Sequence, residues 1–137
     1  MNVNPYLSFE GRCAEAIEFY KKALGAEVET LMHFKDMPAG ACPGGVKPET
    51  ANKVMHSQLH IGDSMIMATD GQCAGKANFS GISLSLRAKD DAQAAKAFNA
   101  LSDGGQVTMP LGRTFFSSSF GMVTDRFGVP WMVVVMA

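Results

Sequence analysis

The 137-residue sequence predicts an α+β fold built from two βαβββ modules. Three observations predict it. The order strand, helix, three strands occurs twice along the chain. Phe19, Gly25 and Val28 of the first half recur at constant spacing as Phe98, Gly104 and Val107. GISLSLR at 81–87 alternates Ile82, Leu84 and Leu86 with Ser83 and Ser85, the pattern of a strand with one buried face. At 47% hydrophobic and 18% charged residues, the chain has the apolar content for a core and is not a disordered tail.

Each element has its own signal. VNPYLSF (3–9) reads as a short strand, interrupted by Glu10-Gly11-Arg12. CAEAIEFYKKAL (13–24) places Ala16, Ile17, Tyr20 and Leu24 at helical spacing, and Gly25 follows where a helix end favours glycine. EVETLMHF (27–34) is a strand. Residues 36–53, broken by Pro38, Pro43, Pro48 and several glycines, form a long loop. VMHSQLHI and SMIMAT flank Gly62-Asp63, a hairpin signal. After a linker at 70–78 the order repeats: the strand at 81–87, an Ala-rich helix at 90–103 with acidic residues at its positive end, and three strands in QVTMPL, FFSSSFGMVTD and PWMVVVM. Asp125 and Gly128 stand at the first and fourth positions of the turn before the last strand. The modules therefore fall near 1–72 and 77–137 of a single domain.

Charge and cysteine content narrow the function classes. Twelve Lys+Arg against 13 Asp+Glu give a net charge of -1, so a nucleic-acid partner is not expected. No apolar run is long enough to span a bilayer, and no membrane partner is expected. Cys13, Cys42 and Cys73 form no CxxC pair, and MNVNPYLSFEGR has no secretory pattern, so the expected location is cytoplasmic.

AIEFYKKALGAE (16–27), GDSMIMATD (62–70) and DRFGVPWMVVV (125–135), in that order, resemble the vicinal oxygen chelate superfamily of glyoxalase I, bleomycin- and fosfomycin-resistance proteins and extradiol dioxygenases. PYLSFEGRCAEAIEFY, GKANFSGISLSL and FGMVTDRFGVPWMV most resemble its PhnB-like group. The resemblance implies a glyoxalase/bleomycin resistance/dioxygenase fold, with both modules forming a cupped mixed sheet around a small-molecule ligand, and a homodimer. It also implies four metal-ligand positions, which fall here on Asn4 or Pro5, Met67, Gly81 and Met132. None is a usual ligand for a hard or borderline divalent ion, so neither metal nor cofactor is expected and the cup becomes apolar. Some PhnB-like sequences carry the label of ubiquinone methyltransferases. The usual methyl-donor site needs a Gly-rich strand-to-helix turn, and the one dense glycine stretch, AGACPGG (39–45), does not follow such a strand.

The candidate ligand pocket comprises Tyr6, His56, Gln58, Met67, Ser83, Ser85 and Met132. His56, Gln58 and His60 share one strand face; His56 and His60, about 13 Å apart on a strand, cannot hold one ion together. His56 is the one candidate general base. The ten methionines fill the core or line a plastic pocket, with Met67 and Met132 leaning towards the pocket. Cys13 opens the first helix, where thiolate is favoured, although a structural role is the stronger reading. Ser117, Ser118 and Ser119 lack the setting of an activated nucleophile. Trp131 is expected in the core, Asp63 and Asp125 in turns, and His33 in solvent, while Phe79 either stacks on a ligand or joins the core. Residues 36–53 are expected to close over the ligand as a lid. The leading function is metal-free binding of a small molecule. The alternatives are an enzyme of lyase, isomerase or dioxygenase type, with a displaced metal or His56 as base, and a regulatory partner with a vestigial cup.

Overall fold

The computed structural model describes residues 1–38, 40–41 and 45–136. The chain divides into two compact units, Met1–Ala77 and Asn78–Ala137. Each holds one helix and one four-stranded mixed sheet, so the α+β class and the doubled βαβββ order both stand. Among the described residues no helix is long and apolar enough to cross a membrane.

The first unit contains β1 (Tyr6–Ser8), α1 (Cys13–Leu24), β2 (Glu27–His33), β3 (Val54–Ile61) and β4 (Ser64–Thr69). Its sheet runs β1-β4-β3-β2, with β1 parallel to β4 and the other pairs antiparallel. α1 buries Cys13, Ala16, Ile17 and Tyr20 along one side. That side faces a core that includes Leu7, Leu59, Ile66 and Ala68. Gly25 ends the helix at φ 67°, and its N–H donates to Lys21 O.

The start of α1 is held from far away in sequence. Arg12 supplies no side-chain cap. Asp70, just past β4 and fully buried, accepts hydrogen bonds from Gly11 N and Cys13 N through Oδ1 and from Val54 N through Oδ2, each at 2.8 Å. Next to it, Gly71 sits at φ 56°, where an added Cβ would collide with Ser8 Oγ and the Glu10 carboxylate. Glu10 itself has φ 51°, and its Oε2 accepts from Ser8 Oγ and Gln72 N.

The second unit contains β5 (Leu84–Ala88), α2 (Asp91–Ser102), β6 (Gln106–Gly112), β7 (Ser117–Thr124) and β8 (Pro130–Met136), in the order β5-β8-β7-β6. Here β5 is parallel to β8. Asp90 caps α2 by accepting from Gln93 N, while the Gln93 side chain accepts from Lys89 N. α2 buries Ala94, Ala97, Phe98 and Leu101 and packs mainly on β7. The absence of a side chain at Gly121 permits this approach, because a Cβ there would lie 2.7 Å from Phe98 Cε2.

The edge strands β2 and β6 share one irregularity, and each has a second further along, between Met32 and His33 in β2 and between Met109 and Gly112 in β6. Val28 pairs with Leu59 and Thr30 with Gln58, so Glu29 is an extra residue. Val107 pairs with Val123 and Met109 with Met122, so Thr108 is the extra residue at the equivalent place.

The structure corrects one strand. The expected strand at 81–87 runs instead from Leu84 to Ala88. Gly81 adopts φ 81° in a turn, so Ile82 and Ser83 precede the ladder and Ile82 is 56% exposed. Of the expected lid at 36–53, Ala39, Cys42, Pro43 and Gly44 lie outside the described residues. The ends of that segment are clamped, with Phe34 N donating to Lys53 O and Lys35 N to Ala51 O.

Replacing Asp70 by alanine would strand three N–H groups around a buried site. We expect Asp70→Ala to lower stability by about 3 kcal/mol or more, read as a shift of the urea unfolding midpoint.

Candidate functional site

On the face of the first sheet opposite α1, register sets a row across all four strands. Tyr6 of β1 pairs with Met67 of β4, Met67 with Gln58 of β3, and Gln58 with Thr30 of β2. Paired residues in a ladder point to one side, so these four share a face. Ser57 and Leu59, fully buried, take the helix side, which leaves His56, Gln58 and His60 on the other. His56 stands one step along, beside Met32. The Tyr6 hydroxyl is hydrogen-bonded to His56 Nδ1 at 2.9 Å, and the two rings lie 5.6 Å apart. Tyr6 is 51% exposed, so its phenol is not core. Of the expected pocket, Tyr6, His56, Gln58 and Met67 are therefore adjacent. His60 turns elsewhere: its Nε2 bonds to the carboxylate of Glu29, the extra bulge residue, at 3.1 Å. His33 is half-buried rather than in solvent, and its Nδ1 lies 3.4 Å from Asp36 Oδ2.

The second sheet repeats the row with other residues. Ser85 of β5 pairs with Met132 of β8, Met132 with Met122 of β7, and Met122 with Met109 of β6. The bulge at Thr108 brings Met109 onto this face. The next row is Arg87, Val134, Phe120 and Gly112. Ser85 and Met132 are thus adjacent as expected, whereas Ser83 is exposed and outside the strand. Met122, Met109, Phe120 and Arg87 escaped sequence reasoning. The methionine spacing in FGMVT and WMVVV was visible, but the pairing that aligns them was not.

The positions implied for metal ligands do not suit a divalent ion. Met67 is flanked by Tyr6 and Gln58, and Met132 by Ser85 and Met122, so neither row offers a carboxylate. Pro5 reaches Met67 only through its carbonyl, which accepts from Met67 N, and Gly81 has no side chain. His56 adds one imidazole, hydrogen-bonded to Tyr6 through Nδ1, and a single imidazole does not make a divalent-ion site. Among the described residues no group of three or more His, Cys, Asp or Glu could hold a metal ion.

The remaining candidates are structural. Burial, with Asp70 beside it, pushes the Cys13 thiol up to about 12, overcoming any helix-start effect that would favour thiolate. The Ser117 hydroxyl lies within hydrogen-bonding distance of Val135 O and Ser119 O inside the β7–β8 irregularity. Ser118 Oγ and Ser119 Oγ both donate to Asp91 Oδ1, at 2.6 and 2.8 Å, tying β7 to the first turn of α2. These bonds hold the Asp91 carboxyl below its usual range, with Arg113 adding a smaller push. Trp131 is buried as expected, and its Nε1 donates to Asp125 Oδ2. Asp125 also accepts from Phe127 N and Val129 N, closing the turn that leads into β8.

A family profile described as 3-demethylubiquinone-9 3-methyltransferase matches residues 1–134. The chain is 39% identical to protein YjdN of Escherichia coli over 99% of its own length and 96% of that protein. It is 41% identical to protein PA1353 of Pseudomonas aeruginosa, whose structure superposes with a TM-score of 0.82 and covers 99% and 98% of the two chains. The fold is also shared with a Bacillus cereus PhnB protein named for the same methyltransferase (23% identity, TM-score 0.77, 98% and 99% covered). A glyoxalase-related enzyme from Fulvimarina pelagi has it too (13% identity, TM-score 0.62, 98% and 88% covered).

Two expectations follow from the local chemistry. At pH 8, iodoacetamide should leave Cys13 unmodified in the native protein and label it after unfolding, as read by peptide mass mapping. Asp91 has a depressed carboxyl pKa in the folded state, so its contribution is present above about pH 4 and fades as pH falls further. Asp91→Asn should therefore lose stability less steeply than the parent below pH 4, in urea unfolding curves taken across that range.

Proposed function

The chain belongs to the family described as 3-demethylubiquinone-9 3-methyltransferase, within the PhnB-like group of the vicinal oxygen chelate superfamily, and we propose that it binds an apolar small molecule without the superfamily's metal. The observation that carries this reading is the pair of methionine-centred rows, Tyr6–Met67–Gln58 and Ser85–Met132–Met122. Thioethers are poor ligands for Zn, Mn or Mg and good, adaptable partners for irregular apolar surface. Tyr6, His56 and Gln58 offer polar contacts beside the first row, and Ser85 offers one beside the second.

Methyl transfer, which the family description names, finds little support in this chain. The links from β1 to α1 (Phe9, Glu10, Gly11, Arg12) and from β5 to α2 (Lys89, Asp90) are not the Gly-rich turns that cradle a methyl donor. Most strand pairs are antiparallel, unlike a doubly wound sheet.

A second reading, an enzyme with His56 as general base, draws on the Tyr6 bond. In the tautomer whose Nδ1–H donates to the Tyr6 hydroxyl, Nε2 carries the lone pair that takes a proton. In either reading the protein works as a cytoplasmic homodimer. Free Cys13 and Cys73 fit a reducing compartment, and the edge strands β2 and β6 expose Val28, Leu31, Val107 and Met109, apolar edges that call for cover.

The neutral fluorophore N-phenyl-1-naphthylamine tests the binding reading. The parent should bind it equally well before and after dialysis against EDTA. A Met67→Asp, Met132→Asp double variant that keeps its thermal midpoint within a few degrees should bind about tenfold more weakly or worse. Unchanged affinity in that variant, or a stoichiometric divalent metal whose removal abolishes binding, would overturn the proposal.

A further inference from the structure

We propose that the face of the second sheet opposite α2 takes an aromatic carboxylate, with Arg87 holding the carboxylate and Phe120, Met122 and Met132 bedding the ring. This rests on the ligand-binding reading above and names the class of molecule.

The face is set by alternation along β5. Leu84 and Leu86 are half-buried and Ala88 is buried, on the helix side, so Ser85 and Arg87 stand on the opposite side. The row containing Arg87 passes to Val134, then Phe120, then Gly112. It runs beside the row of Ser85, Met132, Met122 and Met109. Together they make a strip with a cation at the β5 end, a soft apolar floor and an aromatic wall. Phe116 stacks edge-on to Phe120 at 5.1 Å, and Phe115 edge-on to Phe116 at 5.1 Å. Beyond Phe120 the strip opens, because a Cβ built on Gly112 would meet nothing within 4 Å. Arg87 and Phe120 are two strand spacings apart, about 10 Å. That is the length of a two-ring acid lying across the strands.

The electrostatics favour an anion at the Arg87 end, while Arg113, which follows Gly112 at the far end, acts on the Asp91 carboxylate. Arg12 and Arg126 are engaged by Glu15 and Asp103. The Arg87 guanidinium has no hydrogen bond or ion pair among the described residues. Neither row carries a carboxylate, and the rows interpose Val134 and Met132 between the cation and the aromatic end. A guanidinium offers paired N–H donors that match a carboxylate edge, and the bond strengthens beside apolar surface. With a net charge of -1, the chain as a whole does not attract anions, so a preference for one would come from this local group.

Biphenyl-4-carboxylate and its neutral analogue biphenyl-4-carboxamide form the test, titrated calorimetrically. The parent should bind the acid about tenfold more tightly than the amide at low salt, with the ratio shrinking as NaCl is added. Arg87→Gln should bring the ratio to about one, Arg87→Lys should keep part of it, and Lys89→Gln should leave it intact. Equal affinities in the parent, or a preference that survives Arg87→Gln, would overturn the assignment while leaving the apolar-binding reading standing. Failure of both compounds and of N-phenyl-1-naphthylamine to bind would remove that reading, and this inference with it.

Discussion

One buried carboxylate organises the first half of the molecule. Asp70 has no exposed surface, and three backbone N–H groups from two distant stretches converge on it. A charge in such a place is tolerable only when its oxygens are saturated by donors. The two stretches are thereby fixed to each other. Gly11 and Cys13 bring the first turn of α1, and Val54 brings the start of β3. Asp70 N also donates to Val54 O, so the end of β4 and the start of β3 are locked in one alignment. The face that carries Tyr6, Met67 and Gln58 inherits that alignment. His56 lies two residues beyond Val54, and Met67 three before Asp70. Any slip at the carboxylate would move both against Tyr6, and a one-residue slip would turn them to the wrong side.

The second module reaches the same topology with different polar devices. Its helix carries its own cap in Asp90, needing no carboxylate from a remote strand. Its tie between helix and sheet is Asp91, gripped by two serine hydroxyls of β7. Its buried acid, Asp125, closes a hairpin instead of joining distant segments. The shared architecture therefore belongs to the apolar pattern. The polar fixings are local solutions to the same problem of satisfying buried backbone groups.

That division explains what could be read from the sequence. Helix spans were legible because Ala16, Ile17 and Tyr20 keep a strict period and Gly25 marks a stop. The hairpin at Gly62-Asp63 was legible from turn chemistry, and the Met67 and Met132 positions from the resemblance. Three things were not. Ile82 looked like a strand residue because alternation continues through Gly81, and only the turn geometry of that glycine reveals where the ladder begins. Asp70 looked like a linker residue, since nothing local shows that it faces inward to amides almost sixty positions away. Met109 and Met122 did not stand out, because their alignment with Met132 depends on hydrogen-bond register between strands, which no single segment encodes.

The extra residues Glu29 and Thr108 make each edge strand a two-position switch. Deleting one codon there would remove this offset, and the residues between it and the second irregularity of the same strand would exchange faces as a block. In β6 that would replace Met109 beside Met122 by its neighbour, with no substitution anywhere in the core. Insertions and deletions at these two points thus change which side chains reach a sheet face in a way that ordinary point mutation cannot.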